Sequence, residues 1–267
     1  MARNVHDRDI APALTAAERW IQACLIEDGS LFSNSQLWTA KLIDEVHAAF
    51  VDHPDFGKED FMTKLKGQMK AASAPAQQLM AEMLWALLLF PSNMKARTKR
   101  QQVQDLWALT GQRLGDEGPL LDDHVLVGIG SGGPGFNYWP DEMTFLIVLA
   151  RDLKRHSPGE RRHILTQYDK FMEWIESVPR QGSRQFRHML RFFAFPDRVE
   201  RISSNNDRRS ILEEFGIAAL KETNKWSDRE LDEALLRLRG DLHGDSRASV
   251  FDFYLPEIRK RWALTVG

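Results

Sequence analysis

The chain has 267 residues, with 36 Lys and Arg against 38 Asp and Glu, one cysteine, and 43% hydrophobic residues. A net charge of −2 excludes a general pull toward nucleic acid or anionic lipid, so any basic site has to be local. A single thiol, Cys24, excludes a disulfide framework and every multi-thiolate zinc or iron–sulfur centre.

A chain of this size buries about 73% of its unfolded surface, enough for one large domain or two small ones. The start MARNVHDRD has no apolar signal-peptide core, and the longest apolar run, Met83 to Pro91, is about half a membrane span. With the lone thiol, these features lead to the expectation of a soluble, cytoplasmic protein that does not engage a membrane.

In chain order, Thr15-Ala-Ala-Glu18 reads as a capping box, followed on one face by Trp20, Cys24 and Leu25. Ser35 reads as the cap of a helix carrying Trp38, Leu42, Ile43, Val46 and Phe50, stopped by Pro54, and Phe61, Leu65 and Met69 repeat the helical period. Ala76 to Phe90 is apolar nearly all round, the pattern of a central buried helix. Lys95 to Thr110 is a basic-to-apolar helix ending at Gly111, and Val125-Leu126-Val127 is the best strand candidate. Ser157-Pro-Gly-Glu160 opens a helix through Leu165, Tyr168, Phe171, Met172 and Ile175, and Ser227-Asp-Arg-Glu230 opens one through Leu231, Leu235, Leu238 and Leu242. The expected fold is therefore all-α, with roughly ten to twelve helices in a single domain, residues 1–267. One Gly-rich loop, 128–140, interrupts it, is expected to be mobile, and divides possible lobes at 1–127 and 141–267.

Several stretches imitate catalytic motifs, and each fails on context. Gly128-Ile-Gly130-Ser-Gly132-Gly133 spells a dinucleotide fingerprint, but Pro134-Gly135 stands where the phosphate-binding helix would begin. The Gly57-Lys58 pair is followed by Glu59, so there is no P-loop. Pro140-Asp141 with Asp152-Leu-Lys154 resembles a metal-nuclease spacing, yet helical periodicity throws Asp152 and Lys154 about 200° apart. The eight histidines form no metal-binding pair, Asp122-Asp123-His124 reads as a cap or turn, and Cys24 as an inert core thiol. No catalytic residue, metal or cofactor is expected, and the chain reads as a non-enzyme.

Two features suit contact with a partner. Phe136, Tyr138 and Trp139 place three aromatics beside the glycines, where they either meet a ligand or plug the loop onto the core. Between residues 180 and 209 stand eight arginines (Arg180, Arg184, Arg187, Arg191, Arg198, Arg201, Arg208 and Arg209) against Asp197, Glu200 and Asp207. The first four fall on one helical stripe opposite Phe186, Met189, Leu190 and Phe193. Such a stripe presents guanidinium forks to phosphate or carboxylate, or lies as a solvated face, or pairs with acidic helices of the same chain.

The stretch Phe192-Phe-Ala-Phe-Pro196-Asp-Arg-Val-Glu200-Arg-Ile-Ser-Ser-Asn-Asn-Asp-Arg-Arg-Ser-Ile211 resembles the apolar-F-P-D-x-(F/V)-E-x-I-x-S segment in N-terminal domains of McrB-like AAA+ restriction and phage-defence proteins. Leu79-Met-Ala-Glu82-Met-Leu-Trp85 with Phe90-Pro-Ser92 and Lys99-Arg100 is similar to another part of that family, and so is Leu231-Asp232 to Leu238-Arg239 with Asp252-Phe-Tyr254 and Trp262. The likeness covers roughly residues 60 to 262. It implies a non-catalytic recognition or adaptor domain, working with an AAA+ NTPase module and a McrC-like nuclease, and binding DNA or another phage-derived trigger through the Arg-rich helix. A protein–protein assembly module docking a partner subunit is the alternative. The motor module itself is not in these residues, which fits either an N-terminal portion or a stand-alone relative.

Overall fold

The structure, a computed structural model, describes residues 7–114, 118–132, 138–180, 182, 184–243 and 251–263. Among these the fold is all-α, with fourteen α-helices and no strand beyond an isolated parallel bridge between Pro91 and Gly130.

Helix α1 (Ala11–Trp20) starts ahead of the Thr15 box, because Pro12 sits in its first turn and Asp9 Oδ1 accepts the Ala11 N–H at 2.9 Å. It widens into a π-helical segment, Ile21–Ile26, that ends near Asp28 in the left-handed region (φ 61°). Helix α2 (Ala40–Phe50) is capped by Thr39 and not by Ser35, and α3 (Phe61–Met69) is capped by Asp60. Helix α4 (Ala74–Leu89) is the central rod: every residue from Leu79 to Leu89 is buried, as its all-round apolar pattern predicts.

Helix α5 (Ala96–Trp107) follows, then α6 (Asp123–Leu126), a helical turn where the sequence suggested a strand. Asp122 accepts the His124 N–H at 2.8 Å and starts that turn. Helix α7 (Trp139–Leu153) leads to α8 (Pro158–Thr166), whose Ser157–Glu160 capping box forms as read, and to α9 (Tyr168–Ser177). The helix expected to be continuous breaks at Gln167, which is extended (φ −109°, ψ 111°). Helices α10 (Phe186–Ala194), α11 (Asn205–Glu214), α12 (Leu220–Thr223), α13 (Asp228–His243) and α14 (Pro256–Trp262) complete the chain. This break and the short turns raise the number above the expected ten to twelve.

The apolar core divides at a place the sequence did not mark. One buried cluster takes residues from Ile10 to Val199, and a second, much smaller one takes residues from Ile202 to Trp262. The Gly-rich loop separates no core: α7, α9 and α10 pack in the same cluster as the helices before residue 128.

Nor is the described part of that loop loose. Ile129 and Gly130 donate their N–H groups to the Phe90 carbonyl at 2.7 and 3.1 Å, and Ser92 donates to Gly130 at 2.8 Å. Gly128 has φ 87°, and a Cβ there would sit 2.3 Å from the Pro91 oxygen, so only glycine fits. The buried Lys99 ammonium nails the same junction to the Pro91 and Leu126 carbonyls at 2.5 and 2.8 Å, and burial drops its pKa to about 7. Residues 133–137, including Phe136, lie outside the described residues.

Candidate functional site

Helix α10 is strongly two-sided. Phe186, Met189, Leu190 and Phe193 enter the main core, and Arg187 and Arg191 occupy the opposite side. The stripe read from the sequence is shorter in the structure, because the helix begins only at Phe186. Arg180 and Arg184 precede it, the first exposed beyond Pro179. What starts the helix there is a carboxylate from another element. Glu142, fully buried in the first turn of α7, accepts the Gln185 and Phe186 N–H groups at 3.0 and 2.8 Å. A charge at this position meets the positive end of the α10 dipole. Arg184 leans on the same acidic turn, 3.1 Å from Asp141 and 3.8 Å from Glu142.

The remaining stripe faces α13 and forms a buried seam with it. Arg187 lies 2.9 Å and Arg191 3.3 Å from Asp228, and Arg191 Nε lies 3.2 Å from Asp232. Arg208, from α11, closes the network at 2.8 Å from Asp228 and 2.5 Å from Asp232, with a further bond to the Asp228 carbonyl at 2.8 Å. Tyr168 donates its hydroxyl to Asp232 at 3.0 Å. Arg191 and Arg208 are each 1% exposed, so these guanidiniums are not a solvated face.

Burial alone would push the Asp228 carboxyl up, but the guanidiniums of Arg191, Arg208 and Arg187 around it hold its pKa far below the usual carboxylate range. Burial, reinforced by Arg191, keeps His188 neutral. Arg191 Nη2 is 2.8 Å from His188 Nδ1 and can only donate, so the imidazole proton sits on Nε2.

Arg201 is likewise buried, donating to the Ile129 carbonyl at 2.6 Å and pairing with Asp252. Arg209 is half-buried and reaches the Thr223 carbonyl at 3.3 Å, and exposed Arg198 covers the Tyr168 ring at 4.2 Å. The eight arginines therefore do not form one surface. Five of them, Arg184, Arg187, Arg191, Arg201 and Arg208, end on the chain's own carboxylates. Arg187, Arg191 and Arg208 meet Asp228 and Asp232, Arg184 meets Asp141 and Glu142, and Arg201 meets Asp252, so in this structure these five are ion-paired within the chain. Asp228 and Asp232 stand four residues apart at the start of α13, one face of a helix, and that spacing was the overlooked signal for an acidic partner to the stripe.

Of the loop aromatics, Trp139 packs half-buried against Phe61 with centroids 5.6 Å apart, and Tyr138 is 65% exposed. Asp152 accepts from Trp174 Nε1 at 2.9 Å, whereas Lys154 bonds the Cys24 and Leu25 carbonyls at 2.6 and 2.8 Å, so the nuclease-like pair points to separate neighbours. Cys24 is buried, its thiol pKa raised by burial and by Glu82. No group of three His, Cys, Asp or Glu side chains converges as a metal site among the described residues, and no described helix is long and apolar enough to cross a membrane.

Among the described residues, two clefts open elsewhere, on both sides of α1. A cleft of about 780 Å³ has Leu14, Ile21, Leu165 and Phe193 among its lining, and one of about 580 Å³ has Pro12, Ala16, Leu120 and Val125. Exposed Arg19 stands between them, lining both. Comparison with family models, curated proteins and solved structures finds no match to this chain.

Proposed function

We propose that the chain is a non-catalytic adaptor domain of a McrB-like defence system that docks a protein partner, an AAA+ NTPase module or its McrC-like nuclease. The resemblance over residues 60 to 262 supports the setting. The observation that carries the mode of action is the pairing of Arg187, Arg191 and Arg208 with Asp228 and Asp232. A buried guanidinium neutralised by a buried carboxylate has neither the net charge nor the access to hold DNA phosphate, so in this state the Arg-rich helix acts as a structural rivet. The docking surface in this reading is the pair of clefts flanking α1, which join apolar side chains to the polar groups of Asp9, Thr15 and Arg19.

Salt dependence separates this reading from DNA recognition through the arginines. Four phosphate contacts on duplex DNA give a log–log slope near −3.6, one per neutralised phosphate times about 0.9. The expected outcome with a 20-base-pair duplex is a slope shallower than about −1, together with salt-insensitive binding to the purified AAA+ module. A slope near −3.6 in the wild-type chain overturns the docking reading in favour of DNA.

A further inference from the structure

The division of the core between Val199 and Ile202 coincides with a change in what holds the chain together. Helices α11, α13 and α14 share one small apolar cluster, and none of its buried members belongs to the main cluster. Among the described residues, the contacts that join them to the body away from the connecting segment include Arg187 and Arg191 on Asp228 and Asp232, Tyr168 on Asp232, and Arg229 on Asp169 at 2.7 Å, all polar. At the connecting segment itself, Arg201 holds Ile129 of the body and Asp252 of the small unit, and Glu200 takes Arg239 at 2.5 and 2.6 Å.

We infer that α11 to α14 form a latch, which opens from the body as one unit about residues 199–204 and in its closed state occupies the arginines of α10 with Asp228 and Asp232. An interface of apolar side chains loses free energy in proportion to the area it exposes. A buried ionic interface recovers the hydration of every charge it releases, which offsets most of the attraction lost. Polar interfaces between units of one chain are accordingly the ones that move.

The partition of charges supports a clean separation. Arg208 belongs to the latch and stays with both carboxylates when it lifts, so the open unit keeps its own internal pair. The body is left with Arg187 and Arg191, two guanidiniums with Asp228 and Asp232 withdrawn. In the closed state the two aspartates hold these groups as an external anion would. This inference rests on the seam and the split core, and not on the identity of the docking partner.

Native-state hydrogen exchange on the full chain tests it, with heparin as the polyanion probe. In wild type, raising NaCl from 0.05 to 1 M is expected to speed exchange of the protected amides of α11, α13 and α14 together, at least tenfold, while those of α4 stay unchanged. Asp232→Asn is expected to produce the same joint acceleration at low salt and to raise heparin affinity at least tenfold. Protection retained in α4 shows that the body is still folded. Exchange of α13 that follows α4 at every salt concentration, in wild type and variant alike, overturns the latch. Joint opening without a gain in heparin binding overturns the masking of the arginines.

Discussion

The two ends of the molecule are stabilised by different physics. Around α4 the body is dense and apolar, and the buried acid on that helix, Glu82, is satisfied from several sides: Trp38 Nε1 donates at 2.7 Å, the Leu31 and Phe32 N–H groups at 2.9 and 3.2 Å, and Ser30 through its hydroxyl. That carboxylate pins the 30–38 segment against the central rod, so a polar group there organises an apolar core. Around α13 the proportions are reversed. The apolar cluster is small, and four charged side chains, Arg187, Arg191, Asp228 and Asp232, fasten it to the rest. Apolar packing is non-directional and tolerates exchange of similar volumes, whereas an ionic seam is directional and fails when one member is lost. The contrast predicts where each substitution strikes.

The largest effect is expected from Glu82→Ala. Two backbone N–H groups, an indole and a hydroxyl lose their acceptor in a buried site, a loss on the order of 5 kcal/mol, read as a fall in the urea midpoint of the whole chain. A midpoint within 1 M of wild type would show that the 30–38 segment does not need its anchor.

Next comes Arg191→Ala, which removes the guanidinium that bridges Asp228 and Asp232 from the body, leaves them to Arg208 and Arg187, and costs about 3 kcal/mol. Its sharper signature is location: calorimetry is expected to show the transition of α11 to α14 shifted to lower temperature ahead of the body. A single cooperative endotherm, uniformly shifted, would mean that the two regions melt as one and would erase the contrast.

Lys99→Met is smaller, about 1–3 kcal/mol, for the two carbonyls left without a donor, and it carries a pH signature. The folded-state pKa of Lys99, about 7, lies below its unfolded value of 10.5, so between these limits the unfolded chain binds more protons. Stability therefore rises with pH through that window. Lys154, lowered to about 8 by burial, adds to the same slope above pH 8. The variant is expected to flatten the rise in urea midpoint between pH 7 and 10, and a rise equal to that of wild type would assign the slope to other groups.

The smallest effect is expected at Arg180→Ala, where an exposed side chain contributes less than about 0.5 kcal/mol. A loss above 1 kcal/mol on thermal melting would place Arg180 in the seam after all.

How much of this was legible in the chain follows from the range of each interaction. Local signals carried the helices: the Ser157–Glu160 and Ser227–Glu230 boxes close as read, and the apolar run of α4 is buried. The failures are local competitions decided by neighbours. Pro12 and Asp9 started α1 before Thr15, and Thr39 capped α2 because Trp38 was drawn to Glu82. Residues 125–127 lost a strand to the Asp122 cap.

For the candidate site, residue type and spacing marked the arginines but not their fate. The same stripe serves phosphate, solvent or an internal acid equally well, and the outcome depends on which surface is brought opposite it. By itself the sequence determined an all-α chain, because capping and a 3.6-residue apolar period act within a few turns. Only the tertiary structure decided that Asp228 and Asp232, some forty residues away in sequence, fill the guanidinium forks, and that the core divides at residue 200 and not at the glycines. Both depend on long-range pairing, which no local pattern encodes.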